Sequence, residues 1–128
     1  MRFGTYVLVT FLSKDCRIKI GSLGTIDFKK GYYCYVGSAM GPGGLKSRTG
    51  RHKRLCKDKK ANLRWHIDYF LVNKQVSLKK VVASKMNECK LSRKVGKNAL
   101  GIRGFGCSDC KCQNHFYYFK HLKSLKAI

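Results

Sequence analysis

A chain of 128 residues with 44% hydrophobic residues can bury one compact core and is too apolar to be a disordered tail. Its 28 Lys and Arg against 6 Asp and Glu leave a formal net charge of +22, a self-repulsion that points to a polyanionic partner. Nucleic acid fits this better than an anionic membrane surface: no apolar run approaches the ~20 residues of a spanning helix, and no lipidation motif occurs.

The sequence opens on strand-like residues with no cleavable leader expected before them, so the expected location is cytoplasmic or nucleoid-associated. In that setting the 7 cysteines read as thiols or metal ligands, and their odd number gives no disulfide framework. Residues 5–12 are rich in β-branched and aromatic side chains and predict a strand covered on both faces. A second strand is expected at 17–20, where Ile18 and Ile20 alternate with Arg17 and Lys19, and a turn between Gly21 and Gly24. Residues 31–37 form a third strand, and three strands with short links favour an antiparallel sheet.

Gly41, Pro42, Gly43 and Gly44 mark a loop. A helix follows over 45–57, with Leu45, Thr49, His52 and Leu55 or Cys56 on one face and Arg48, Arg51, Lys53, Arg54 and Lys57 crowding the rest. Asn62 is a suitable cap for a second helix with a stripe of Leu63, Ile67, Phe70 and Leu71. A strand at 76–83, a helix capped by Asn87 and running to Val95, a Cys/His-rich turn over 104–115 and a strand at 116–119 complete the series. The order β-β-β-α-α-β-α-β predicts one α+β domain over 1–128: a small, mostly antiparallel sheet of three central strands plus later strands, flanked by helices.

Arg48 and His52, four residues apart on the basic helix, project from one face. A guanidinium there can bind a phosphate, and an imidazole can donate to it or move a proton; a solvated helix with one core-adjacent histidine is the plain alternative. Glu88, the only glutamate, and Asp68 are the candidate acidic anchors. Each also has an ordinary role, Glu88 at a helix N-terminus and Asp68 as a buried pairing group. Tyr6 and Tyr35 can meet across neighbouring strands, or simply pack the core. Cys107, Cys110, Cys112 and His115 offer soft ligands within nine residues, with Cys89 or His66 as substitutes, so a structural Zn²⁺ is one reading and buried thiols the other.

In order along the chain, Gly4-Thr5-Tyr6, Tyr35-Val36-Gly37, Leu45-Lys46-Ser47-Arg48 with His52, and Glu88 resemble the motifs of the GIY-YIG nuclease superfamily. Gly31-Tyr32-Tyr33, Trp65-His66-Ile67-Asp68-Tyr69, Glu88-Cys89 and the 104–112 segment with His115 extend the likeness over nearly the whole chain, to the small Uri-type branch. Thr5 and Val36 stand where the superfamily usually carries isoleucine; all are β-branched, so strand packing survives. The resemblance implies a metal-dependent endonuclease-like domain that hydrolyses DNA phosphodiester bonds, with a role in repair. It implies that Tyr6 or Tyr35 orients or deprotonates a water, Arg48 stabilises the phosphate, His52 assists positioning or proton transfer, and Glu88 holds one Mg²⁺ or Mn²⁺ ion. Gly37, His66, Asp68 and Cys89 would support them, and Arg51, Lys53, Arg54, Lys57, Lys59 and Lys60 would contact the nucleic acid.

DNA is the expected partner, with RNA the other polyanion of the same chemistry and no membrane. Some members of the branch are attached to base-excision repair enzymes, which makes such an enzyme a further expected companion. A nucleic-acid-binding module that keeps the fold without cleaving, and a basic domain that docks an acidic protein, are the alternative functions.

Overall fold

The computed structural model describes residues 4–39, 43–60, 62–97, 99–102, 105 and 115–121. In chain order the elements are β1 (Thr5–Leu12), β2 (Cys16–Lys19), β3 (Thr25–Phe28), β4 (Gly31–Ser38), α1 (Gly44–Asp58), α2 (His66–Leu71), β5 (Val76–Ser84), α3 (Glu88–Val95), β6 (Leu100–Gly101) and β7 (Phe116–Phe119). A five-stranded sheet in the order β5-β1-β4-β7-β6 is antiparallel throughout, and β2 and β3 form a separate two-stranded ribbon. No described helix is long and apolar enough to cross a membrane.

The alternation of β1 explains the layers. Tyr6, Leu8 and Leu12 enter one core, where the ribbon (Ile18, Phe28), α1 (Leu55, Cys56) and α2 (Ile67, Phe70, Leu71) cover the sheet. Val7 and Val9 face the other way, onto Leu91 and Val95 of α3. Both faces of β1 are therefore buried, which is why its sequence reads as a continuous apolar run. The larger core is strongly aromatic: Phe105 stacks on Phe116 at 4.2 Å between centroids, and Phe70 meets Phe116 edge-on at 4.9 Å.

Three local expectations are corrected. The strand expected at 17–20 is not the sheet neighbour of β1; it pairs with Thr25–Phe28, a strand that two apolar residues in four do not announce. The helix expected from Asn62 begins only at His66, because the Asp68 carboxylate accepts the N–H groups of Arg64 and Trp65 and so sets the first turn. Leu63 is consequently outside the helix and exposed. The two-residue β6 was too short to be read from sequence.

α1 starts where Gly43 (φ 82°) and Gly44 (φ 62°) turn the chain, a backbone region that favours glycine. It ends at Lys59, a left-handed residue with φ 60° whose N–H bonds Leu55 O. Asn87 caps α3 through its side-chain oxygen, which accepts from the N–H groups of Cys89 and Lys90.

Candidate active site

The register of β1 with β4 sets Tyr6 opposite Gly37 and Leu8 opposite Tyr35, so both tyrosines point to the α1 face at one end of the sheet. Their rings lie 6.4 Å apart between centroids. Gly37 has to be glycine here, since a Cβ would overlap Cζ and Oη of Tyr6. On α1, Thr49, His52, Leu55 and Cys56 form the buried face, and this turns His52 onto the tyrosines. Its ring is 5.5 Å from that of Tyr6 and 6.2 Å from that of Tyr35, and its Nε2 lies 2.7 Å from the Tyr6 hydroxyl.

Burial holds the His52 imidazole neutral, lowering its pKa to about 4; the charge of Asp68 opposes this, and those of Arg51 and Arg48 add to it. Burial also pushes the Tyr6 phenol above its ordinary value, while the charge of Arg48 and a hydrogen bond with it pull the other way. The arrangement that serves both contacts of the phenol has Arg48 donating to the phenolic oxygen and the phenol donating to Nε2. That tautomer puts the imidazole proton on Nδ1, a buried atom with no hydrogen-bond partner among the described residues. Tyr35 is likewise raised, first by burial, then by Tyr6 and Glu88.

Arg48 is fixed from two further directions. One of its terminal nitrogens donates to Ser38 O at 3.1 Å, at the end of β4, and its guanidinium lies 4.4 Å over the Trp65 ring. Arg51, one turn on, lies 4.6 Å over the same ring and grips Asp68 through two 2.8 Å hydrogen bonds. Burial works against the Asp68 carboxylate, but the bonds from Arg51, Trp65 and Arg64 prevail and hold its pKa below the usual range. Asp68 is fully buried, so it acts as the pillar that carries Arg51 and Trp65.

Glu88 arrives from the other side of β1. The Thr5 hydroxyl lies 2.9 Å from Ser84 O and 2.7 Å from Met86 O, pinning the link between β5 and α3. Glu88, half-buried in the first turn of α3, is then close enough for its charge to act on both Tyr6 and Tyr35. Its Oε1 is 3.3 Å from Nδ1 of His115, a buried residue whose pKa is lowered by burial against a hydrogen bond to the Val36 backbone. Tyr6, Tyr35, His52, Arg48 and Glu88 thus share one end of the sheet. A buried phenol, a neutral imidazole, a fixed guanidinium and a carboxylate together can bind a phosphate and manage a proton beside it.

Residues 5–128 match the model of a family described as domain of unknown function DUF123. The chain belongs to DUF123. No curated protein and no solved structure matches it.

Around this DUF123 site the other expected residues divide. His66 packs against Phe105 with ring centroids 5.5 Å apart, and burial lowers its pKa. Cys89 follows Glu88 on α3 and is half-buried. Lys53, Arg54, Lys57 and Lys60 are exposed, whereas Arg51 is held by Asp68. Lys59 is turned inward: its Nζ donates to Leu71 O at 3.0 Å and Val76 O at 2.6 Å, tying the end of α1 to β5. Cys107, Cys110 and Cys112 lie outside the described residues, as do Gly41 and Pro42. Among the described residues no three His, Cys, Asp or Glu gather as a metal set. Sequence reasoning missed two members of the DUF123 site, Trp65 with its stacked arginines and Thr5 as the anchor of the segment before Glu88. A lone Trp and a strand Thr carry no periodic signal.

Proposed function

We propose that the chain is a Uri-type member of the GIY-YIG superfamily and hydrolyses DNA phosphodiester bonds with the help of one Mg²⁺ or Mn²⁺ ion. The supporting observation is the convergence of Tyr6, Tyr35, His52 and Arg48 on one face, with the charge of Glu88 reaching both tyrosines. Glu88 fits such an ion, because Mg²⁺ keeps several waters and needs only one or two protein carboxylates. When bound, the ion supplies positive charge to the phosphate and the departing oxygen.

The chain's own groups then have distinct tasks. Arg48, held by Ser38 O and Trp65, is preorganised to receive a phosphate oxygen without rearranging. His52, kept neutral, accepts the Tyr6 hydrogen bond and fixes that ring. Tyr6 takes the proton of the attacking water as a phenolate, its own proton having gone to bulk solvent; burial opposes that ionisation and the Arg48 guanidinium partly offsets the cost. Tyr35 lines the same face.

A second reading, a nucleic-acid-binding module without hydrolysis, is favoured by one fact: Tyr6 is only 1% exposed. Incubating the protein with nicked, branched and intact DNA, with Mg²⁺ or Mn²⁺ and with chelator, separates the two. The nuclease reading expects metal-dependent cleavage that Arg48→Ala and Glu88→Ala both abolish. Cleavage unaffected by both substitutions, or binding without cleavage on every substrate, overturns it.

A further inference from the structure

Between the end of α1 and Trp65 the chain lies against α1, with Arg51 donating to Asn62 O at 3.1 Å, and leaves an open cavity of about 380 Å³. Arg51, Arg54, Asp58, Lys60, Asn62 and Arg64 line it. Asp68 already neutralises Arg51, but Arg54, Lys60 and Arg64 are exposed and form no ion pair among the described residues. Three such cations around one concavity, with Asp58 the single opposing carboxylate, make a site for an anion.

The cavity is joined to the site of Arg48 through one indole. Arg51 and Arg64, which line it, lie 4.6 Å and 5.5 Å from the centre of the Trp65 ring, and Arg48 lies 4.4 Å from the same point. Arg48 of the reacting site and Arg64 of the cavity therefore meet at one indole, with Arg51, neutralised by Asp68, against the same ring. Lys53 and Lys57 are exposed on α1 but do not line the cavity.

We infer that this cavity is a second phosphate subsite, which takes a backbone phosphate of the DNA strand whose reacting phosphate faces Arg48. This rests on the nuclease reading and adds to it where the flanking strand runs. Arg54, Lys60 and Arg64 hold the flanking phosphate by charge, Asn62 offers an amide donor, and Trp65 lies between the two phosphates. The exposed lysines outside the cavity contribute only diffuse attraction.

The test compares two double variants that each remove two charges: Lys60→Gln with Arg64→Gln inside the cavity, and Lys53→Gln with Lys57→Gln outside it. Binding of a short fluorescein-labelled DNA duplex is followed by anisotropy across a series of KCl concentrations, and circular dichroism checks that both variants fold. The cavity pair is expected to weaken binding about tenfold or more and to lower the salt slope by about 0.9, the share of the one phosphate contact it removes. The outside pair is expected to weaken it less than about threefold. Trp65, the only tryptophan, should change its emission when wild-type protein binds the duplex. Equal losses from the two pairs would show diffuse attraction and overturn the subsite, leaving the nuclease reading intact if wild-type protein still cleaves. Wild-type protein that neither binds the duplex at low salt nor cleaves nicked, branched or intact DNA would overturn both.

Discussion

The hydroxyl of Tyr6 lies 2.7 Å from Nε2 of His52, with both side chains only 1% exposed. A hydrogen bond so enclosed fixes the ring of Tyr6 and leaves Nδ1 of His52 as the single buried side-chain nitrogen or oxygen without a hydrogen-bond partner among the described residues. Tyr6→Phe keeps the ring and removes the oxygen, stranding Nε2 as well. The expected loss of stability is about 1–3 kcal/mol, the ordinary penalty for an unsatisfied buried group. Metal-dependent cleavage should fall by about 10²–10⁴-fold, the usual contribution of a positioned proton acceptor. Thermal melting and a single-turnover cleavage assay measure the two effects, and a variant that cleaves at the wild-type rate would exclude Tyr6 from the reaction. Because burial raises the phenol, the wild-type rate should also climb with pH above neutrality.

The same burial makes His52 a source of acid sensitivity. Its pKa is about 4 in the folded chain against 6.5 in the unfolded one. Between these values the unfolded state binds a proton that the folded state refuses, so stability falls as pH drops from 6.5 to 4 and changes no further through this group below that. The slope is about 1.4 kcal/mol per pH unit, or about 3 kcal/mol across the window. Urea unfolding at a series of pH values should show it, and His52→Gln should flatten it. Some slope remains in the variant, since burial lowers His66 and His115 too. An unchanged slope would mean that His52 is more hydrated than its surroundings indicate.

Gly37 faces a sharper constraint than a turn glycine. It sits opposite Tyr6 in the strand pairing, and the phenol lies across its Cα. Gly37→Ala would force the Tyr6 ring away from His52, because the β1–β4 register holds the backbone on both sides. Overpacking of this kind costs about 1–3 kcal/mol. Cleavage should drop further than stability, to the level of Tyr6→Phe. Full activity in a stable Gly37→Ala protein would show that the ring has another place to go.

Legibility in the sequence followed the length of each physical signal. The eight residues of β1, the 15-residue α1 with its buried face at 49, 52, 55 and 56, and the Asn87 cap of α3 each carry several consistent cues, and their positions could be read closely. β3 and β6 offer four and two residues, too few for any period. The start of α2 was misplaced for a different reason: Asp68, inside the helix, caps it backward, and that bond is invisible until the chain is folded. At the site, helix spacing alone put Arg48 and His52 on one face. Nothing local foretold that Thr5 would secure the segment before Glu88, or that Trp65 would gather Arg48, Arg51 and Arg64 around one ring.

Asp68 is where site and stability meet. It is wholly buried, takes two hydrogen bonds from Arg51, and caps α2 through the N–H groups of Arg64 and Trp65. Asp68→Asn preserves shape but leaves the Arg51 guanidinium, 21% exposed, without its counter-charge. Removing one partner of a buried pair costs about 3–5 kcal/mol, and the partial exposure of Arg51 brings the expectation to about 2–3 kcal/mol at neutral pH. The carboxyl pKa is lower in the folded chain than the ordinary 3.8, so its contribution is complete above that value and disappears as pH falls through the folded pKa. The gap between wild type and Asp68→Asn should therefore be widest near neutrality and narrow once the medium is acid enough to protonate the wild-type carboxyl. Trp65 emission should shift in the variant even at neutral pH, because losing the charge of Asp68 loosens the Arg51 guanidinium that lies 4.6 Å over that ring. A variant with wild-type stability and an unaltered Trp65 spectrum would show that Arg51 is held by the indole and Asn62 O alone.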